Sequence, residues 1–231
     1  MKFISKLIFV FYLSLNLFSQ DENSVRVNFL AFWSDQSLKF DSVYLLNQNN
    51  SLEFQNLKFY VSDVQLLKKG KITYQEKESF HLIDFSDIQK TGFRLKNIPE
   101  KDCDELHFKL GIDSATNFSG ALGGDLDPTK GMYWTWQNGY INFKLEGTSN
   151  LCETRNNEFV FHLGGHLHPF NSLQELKFPI SEVKNEILLK LDVKKFISKI
   201  DLTKTNHIMS PSLEAVKLSE NVKSAFSLIQ Q

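Results

Sequence analysis

The chain has 231 residues, enough for one domain with a full core, and its formal net charge of −1 gives no electrostatic grip on nucleic acid or an anionic membrane. Phenylalanine is over-represented at 21 residues, many alternating with polar neighbours as in half-buried strands. The composition therefore excludes a nucleic-acid binder held by charge and points to a β-rich globular protein.

Residues 1–20 read as a cleaved signal peptide. Lys2 and Lys6 form the basic start, and residues 7–18 form an apolar run too short to span a bilayer. The expectation is a single mature domain over residues 21–231, periplasmic or secreted, with no stable membrane insertion. Loss of the two lysines takes the net charge to about −3.

Residues 24–32 alternate, with Val25, Val27, Phe29 and Ala31 on one side, which predicts a first strand with one buried face. Turn-like polar clusters at 41–42 and 47–51 bracket a short apolar run. Residues 57–67 form a long strand with Phe59 and Val61 inward, and the phase slip near Ser62 and Asp63 predicts a bulge. A turn at 68–70 leads to strands near 72–74, 80–85 and 93–98. Leu106, Phe108 and Leu110 then face one way, with Glu105, His107 and Lys109 on the solvent side. Ile141, Phe143 and Leu145 repeat the pattern, as do Phe159, Phe161 and Leu163, and strands near 173–180 and 187–193 follow. Ser210 suits an N-cap and Pro211 the first helical position, ahead of Leu213, Val216, Val222, Phe226 and Ile229 at roughly helical spacing. The fold class is all-β: an antiparallel β-sandwich of roughly nine or ten strands with a C-terminal helix.

Cys103 and Cys152 are the two cysteines, and an even count in an exported chain favours a disulfide. Closing a loop of about 49 residues would add roughly 4 kcal/mol. Two buried or metal-binding thiols are the alternative.

Chemistry concentrates in residues 131–140, GMYWTWQNGY, and in the histidines that follow. In a strand Trp134 and Trp136 share a face, either packing a core or walling a site. His162 lies opposite Phe161 and Leu163. Gly164 and Gly165 allow a sharp turn that would swing His166 and His168 back towards it. Three imidazoles together suit copper, zinc, iron or nickel, although HLGGHLH matches no strict structural zinc pattern. Solvent-facing loop histidines are the open alternative. Asp125 and Asp127, ahead of Pro128, suit turn capping better than calcium. Neither a GxSxG elbow nor an HExxH, P-loop or Rossmann motif occurs; a metal-binding protein rather than an enzyme is expected, with a hydrolase or oxygenase on the same histidines as a further alternative.

Three stretches, LGIDSATN (110–117), GDLDPTKGMYWTWQNGYINFKLEG (124–147) and FVFHLGGH (159–166), together resemble the MbnP-like family of exported copper-binding proteins. LKFYVSDVQLL, LIDF and HIMSPS agree with it. The resemblance implies a β-sandwich binding copper through histidines beside a tryptophan that better-known relatives carry as kynurenine, with a di-haem peroxidase-like partner. Carried over residue by residue, Trp134 and Trp136 fall on the aromatic motif and His162 on the FHLG histidine. Phe118 stands where relatives often place a histidine after the asparagine. By residue chemistry alone, His166 and His168 replace that donor, and less strongly His207 or Met209, whose thioether favours Cu(I). His207 and Met209 face one side only if that segment is extended. Copper acquisition, storage or handover, with the metal as Cu(I), is the resulting expectation. A non-metal secreted β-sandwich interaction or adhesion module is the alternative.

Overall fold

The computed structural model describes residues 23–99, 102–137, 139–181 and 185–229. The expected signal peptide lies outside them. Strand Ser51–Lys68 is the axis of the fold. Its first part, Leu52 to Phe59, pairs antiparallel with Gly139–Ser149, and its second, Val61 to Leu67, pairs antiparallel with Glu105–Leu110. Gln174–Pro179 flanks Glu105–Leu110, while Glu158–Gly164 and then His207–Ile208 extend the sheet on the other side. The smaller sheet runs Phe226–Leu228, Glu186–Asp192, Val25–Trp33 and Gln36–Ser37, with Gly92–Leu95 also on Val25–Trp33.

Alternation puts the phenylalanines between the sheets. Phe29 of the smaller sheet meets Phe59 edge-on at 5.2 Å and Phe108 at 5.9 Å, both from the larger sheet. The expected sandwich is present. Among the described residues two pairings run parallel, Val25–Trp33 with Glu186–Asp192 and Glu158–Gly164 with His207–Ile208. Each joins segments far enough apart in sequence for a crossover, as parallel strands require.

The bulge expected near Ser62 lies between Ser62 and Gln65, with Asp63 at a φ of 50°. A second, between Ile141 and Phe143, was not legible. It leaves Phe143 and Leu145 in the main core, while Ile141 joins a separate apolar cluster with Tyr60, Leu82, Ile112, Leu126, Met132, Trp134 and Tyr140. Tyr60 faces opposite Phe59 and Val61 on its strand, so this cluster sits outside the larger sheet under the chain between residues 111 and 134.

The C-terminal helix is Leu213–Lys223, capped by Ser212, whose Oγ accepts from the Ala215 N–H at 3.0 Å. Ser210 and Pro211 precede the cap. The buried face is Ala215, Leu218, Ser219 and Val222, and Phe226 belongs to a strand rather than to the helix.

The expected Cys103–Cys152 disulfide is not formed, and both thiols are buried. Strand register gives the reason. Cys103 precedes Asp104, whose N–H donates to the Leu67 carbonyl, whereas Cys152 follows Ser149, paired with Leu52. Leu67 and Leu52 stand near opposite ends of one strand, on the order of 50 Å apart at about 3.3 Å per residue, against Cα separations of about 4–7 Å in a disulfide. Cys103 Sγ instead sits 3.4 Å from Thr73 Oγ1, and Cys152 Sγ donates to the Leu202 carbonyl at 3.8 Å.

Candidate functional site

Strand Glu158–Gly164 sends Phe159, Phe161 and Leu163 into the main core, which leaves His162 on the outer face. Its register partner is Lys144, and Glu146, one step along on the same face, reaches it: Glu146 Oε1 lies 2.6 Å from His162 Nε2. The other carboxylate oxygen accepts from Asn56 Nδ2 at 2.9 Å, and Lys144 Nζ is 3.6 Å from Oε1. The His162 hydrogen bond, followed by that from Asn56 and by the charge of Lys144, outweighs burial and holds the Glu146 carboxyl down to about 2. An ionised carboxylate only accepts, so Nε2 donates to Glu146 and Nδ1 is the ring nitrogen turned away from it.

His162 is 6% exposed, and its Nδ1 has no hydrogen-bond partner among the described residues. The same holds for Trp134 Nε1 and Asn56 Oδ1. Nine in ten or more buried polar atoms find a partner, and leaving one without costs about 1–3 kcal/mol. Each such atom, His162 Nδ1 among them, is one that a ligand would stabilise.

The Glu146–His162 pair has a consequence for acid stability. A carboxyl depressed in the fold adds stability that is complete above its ordinary value of 4.5 and is lost as pH falls towards 2. Glu146→Gln is therefore expected to flatten the fall of the urea midpoint across that window. A slope equal to that of the unsubstituted protein would show that the pair carries none of it.

Trp134, 5% exposed, lies over Gly164: a Cβ there would come within 2.7 Å of Trp134 Cζ3. Strand pairing stops at Trp134, matched to Gly139, and the chain turns, with the Gln137 N–H donating to the Trp134 carbonyl at 3.3 Å. Trp136 therefore does not share the buried face expected of it. It is 66% exposed, its ring 6.0 Å from that of Trp134.

The three imidazoles do not converge. Among the described residues no three His, Cys, Asp or Glu side chains gather as a metal set. Gly165, at a φ of 121°, sends His166 towards Gly139, and the Ser114 hydroxyl pins the His166 carbonyl at 2.6 Å. His166 borders a cavity of about 100 Å³ with Trp134, Gln137, Gly139, Phe170 and Pro211, and Phe118 meets its ring edge-on at 5.2 Å. Burial lowers its pKa, so the ring is neutral near pH 7 and able to donate a lone pair. His168 is exposed on the following loop.

His207 and Ile208 are extended and pair with Val160 and Phe161. Ile208 enters the core, so His207 and Met209 both face outward. Asp125 is taken up by Lys130 and the Leu82 N–H, and Asp127 caps Thr129, which leaves these carboxylates as turn chemistry.

Glu146 is the residue that sequence reading missed. Its alternation with Leu145 was visible, but the register that sets it against His162 was not.

A model of the MbnP family matches residues 22–210. The solved structure of MbnP from Methylosinus trichosporium is similar in fold, at 14% identity and a TM-score of 0.58, covering 89% of this chain and 98% of that one. Among curated proteins none matches.

Proposed function

Because the chain belongs to the MbnP family, we propose that it is an exported copper-binding protein, serving acquisition, storage or handover rather than catalysis. The observation that carries this reading is His162: its Nε2–H is held by Glu146, and its buried Nδ1 has no partner among the described residues. A histidine that gives one ring nitrogen to a carboxylate and keeps the other bare has the arrangement usual for metal-ligating histidines. Trp134 packs over Gly164, two residues along the strand from His162. Imidazole suits copper, and Cu(I) is the oxidation state proposed. A di-haem peroxidase-like protein is the partner proposed with it, and the exposed ring of Trp136 beside Trp134 is a surface such a partner can reach.

Copper titration of the mature chain tests the reading. His162→Ala is expected to weaken binding about tenfold or more, the scale seen when the support of a metal ligand is lost. Equal affinity in the two proteins would overturn it. A non-metal interaction module is favoured by the packing of Trp134 into the second apolar cluster. It predicts no thermal shift with copper, whereas a ligand of the folded state at about 100 times its Kd adds roughly 2.7 kcal/mol.

A further inference from the structure

We infer that Met209 supplies a thioether donor beside His162 and makes the site selective for Cu(I) over Cu(II). The inference rests on the copper reading above.

Strand register places the residue. His207–Ile208 runs parallel to Glu158–Gly164, with Val160 beside His207 and Phe161 beside Ile208. The two segments stay together past the ladder, because a Cβ on Gly165 would come within 3.0 Å of Pro211 Cβ. Met209 lies between these two anchors, level with His162 and Leu163. Leu163 points into the core with no exposure, while Met209 is 41% exposed, so the methionine projects on the face that carries His162. This is a buried imidazole nitrogen with no partner among the described residues, and a flexible thioether just past the end of the adjoining strand.

The donor types set the preference. Thioether sulfur is soft and selects Cu(I), whereas carboxylate and water oxygens suit harder ions. The one carboxylate in contact with His162 is Glu146, and its oxygens are already engaged by His162, Asn56 and Lys144. The hard donor nearest the site is thus committed, and the uncommitted ones are nitrogen and sulfur. A half-exposed methionine is also able to swing without disturbing the core, which suits a donor that first meets copper at the surface.

The test measures both oxidation states on the full mature chain: Cu(I) in competition with bicinchoninate under reductant, and Cu(II) in competition with glycine. Met209→Leu keeps volume and leaves the core untouched, and its melting temperature serves as the folding control. It is expected to weaken Cu(I) binding about tenfold or more and Cu(II) binding less than about twofold. X-ray absorption of the Cu(I)-loaded protein should show a sulfur neighbour that Met209→Leu lacks. If His162→Ala weakens copper and Met209→Leu does not, or if Met209→Leu weakens both oxidation states equally, the thioether inference fails and the copper reading stands. If neither variant changes copper affinity, both fail.

Discussion

Replacing Phe59 with alanine is expected to lower the unfolding free energy by about 3–5 kcal/mol, the range for removal of a fully buried ring. Phe59 has no exposed surface and sits on the strand that organises the larger sheet. Its ring meets Phe29 at 5.2 Å and Phe226 at 5.4 Å in the smaller sheet, and stacks on Phe143 at 6.2 Å in its own. The surrounding rings are anchored in two sheets held by their own hydrogen bonds, so the hole cannot close by local collapse. Guanidinium unfolding of the variant measures the loss. A change below about 1 kcal/mol would mean that the sheets do not pack through this ring.

Gly164→Ala is expected to cost about 2–3 kcal/mol, in the range of overpacking, and to weaken copper uptake with every proposed donor still present. The added methyl would sit 2.7 Å from the Tyr140 carbonyl oxygen, which is backbone, and 2.7–2.8 Å from the edge of the Trp134 ring. Tyr140 is fixed by its N–H to Asn117 Oδ1 at 2.8 Å, so Trp134 is the part that gives. Its displacement admits water to the face that carries His162. A red shift of tryptophan emission together with the stability loss would report it. Gly123→Ala, with nothing within 4 Å of its added methyl, is the matched control and should behave as the unsubstituted protein. Stability and emission unchanged in Gly164→Ala would disprove the close packing of indole on strand.

Much of the sandwich was legible because alternation reports which face of a strand is buried. Leu106, Phe108 and Leu110, or Phe159, Phe161 and Leu163, needed no partner to be assigned. The slip at Ser62 was visible as a break in that alternation. What alternation cannot report is which strand lies beside which. The Cys103–Cys152 bond failed for that reason, since both cysteines flank partners of one long strand but at opposite ends of it. Glu146 escaped notice because its meaning depends on register with His162. The convergence of His162, His166 and His168 failed on a backbone direction, set by Gly165 and by the Ser114 bond, that spacing does not encode. Trp136 separated from Trp134 because the strand stops between them at a turn without proline, inside an otherwise strand-like run.

The parallel pairing of Val25–Trp33 with Glu186–Asp192 bears on when the protein is able to fold. Arg26 lies opposite Glu186, 160 positions later in the chain. Synthesis from the N-terminus delivers the opening strand long before that neighbour is made. One edge of the opening strand then stays unpaired, and Phe29 waits for Phe226. Contacts so distant in sequence make folding slow, because loop closure must precede the pairing that rewards it. The topology thus defers the final cooperative step until nearly all of the chain is present.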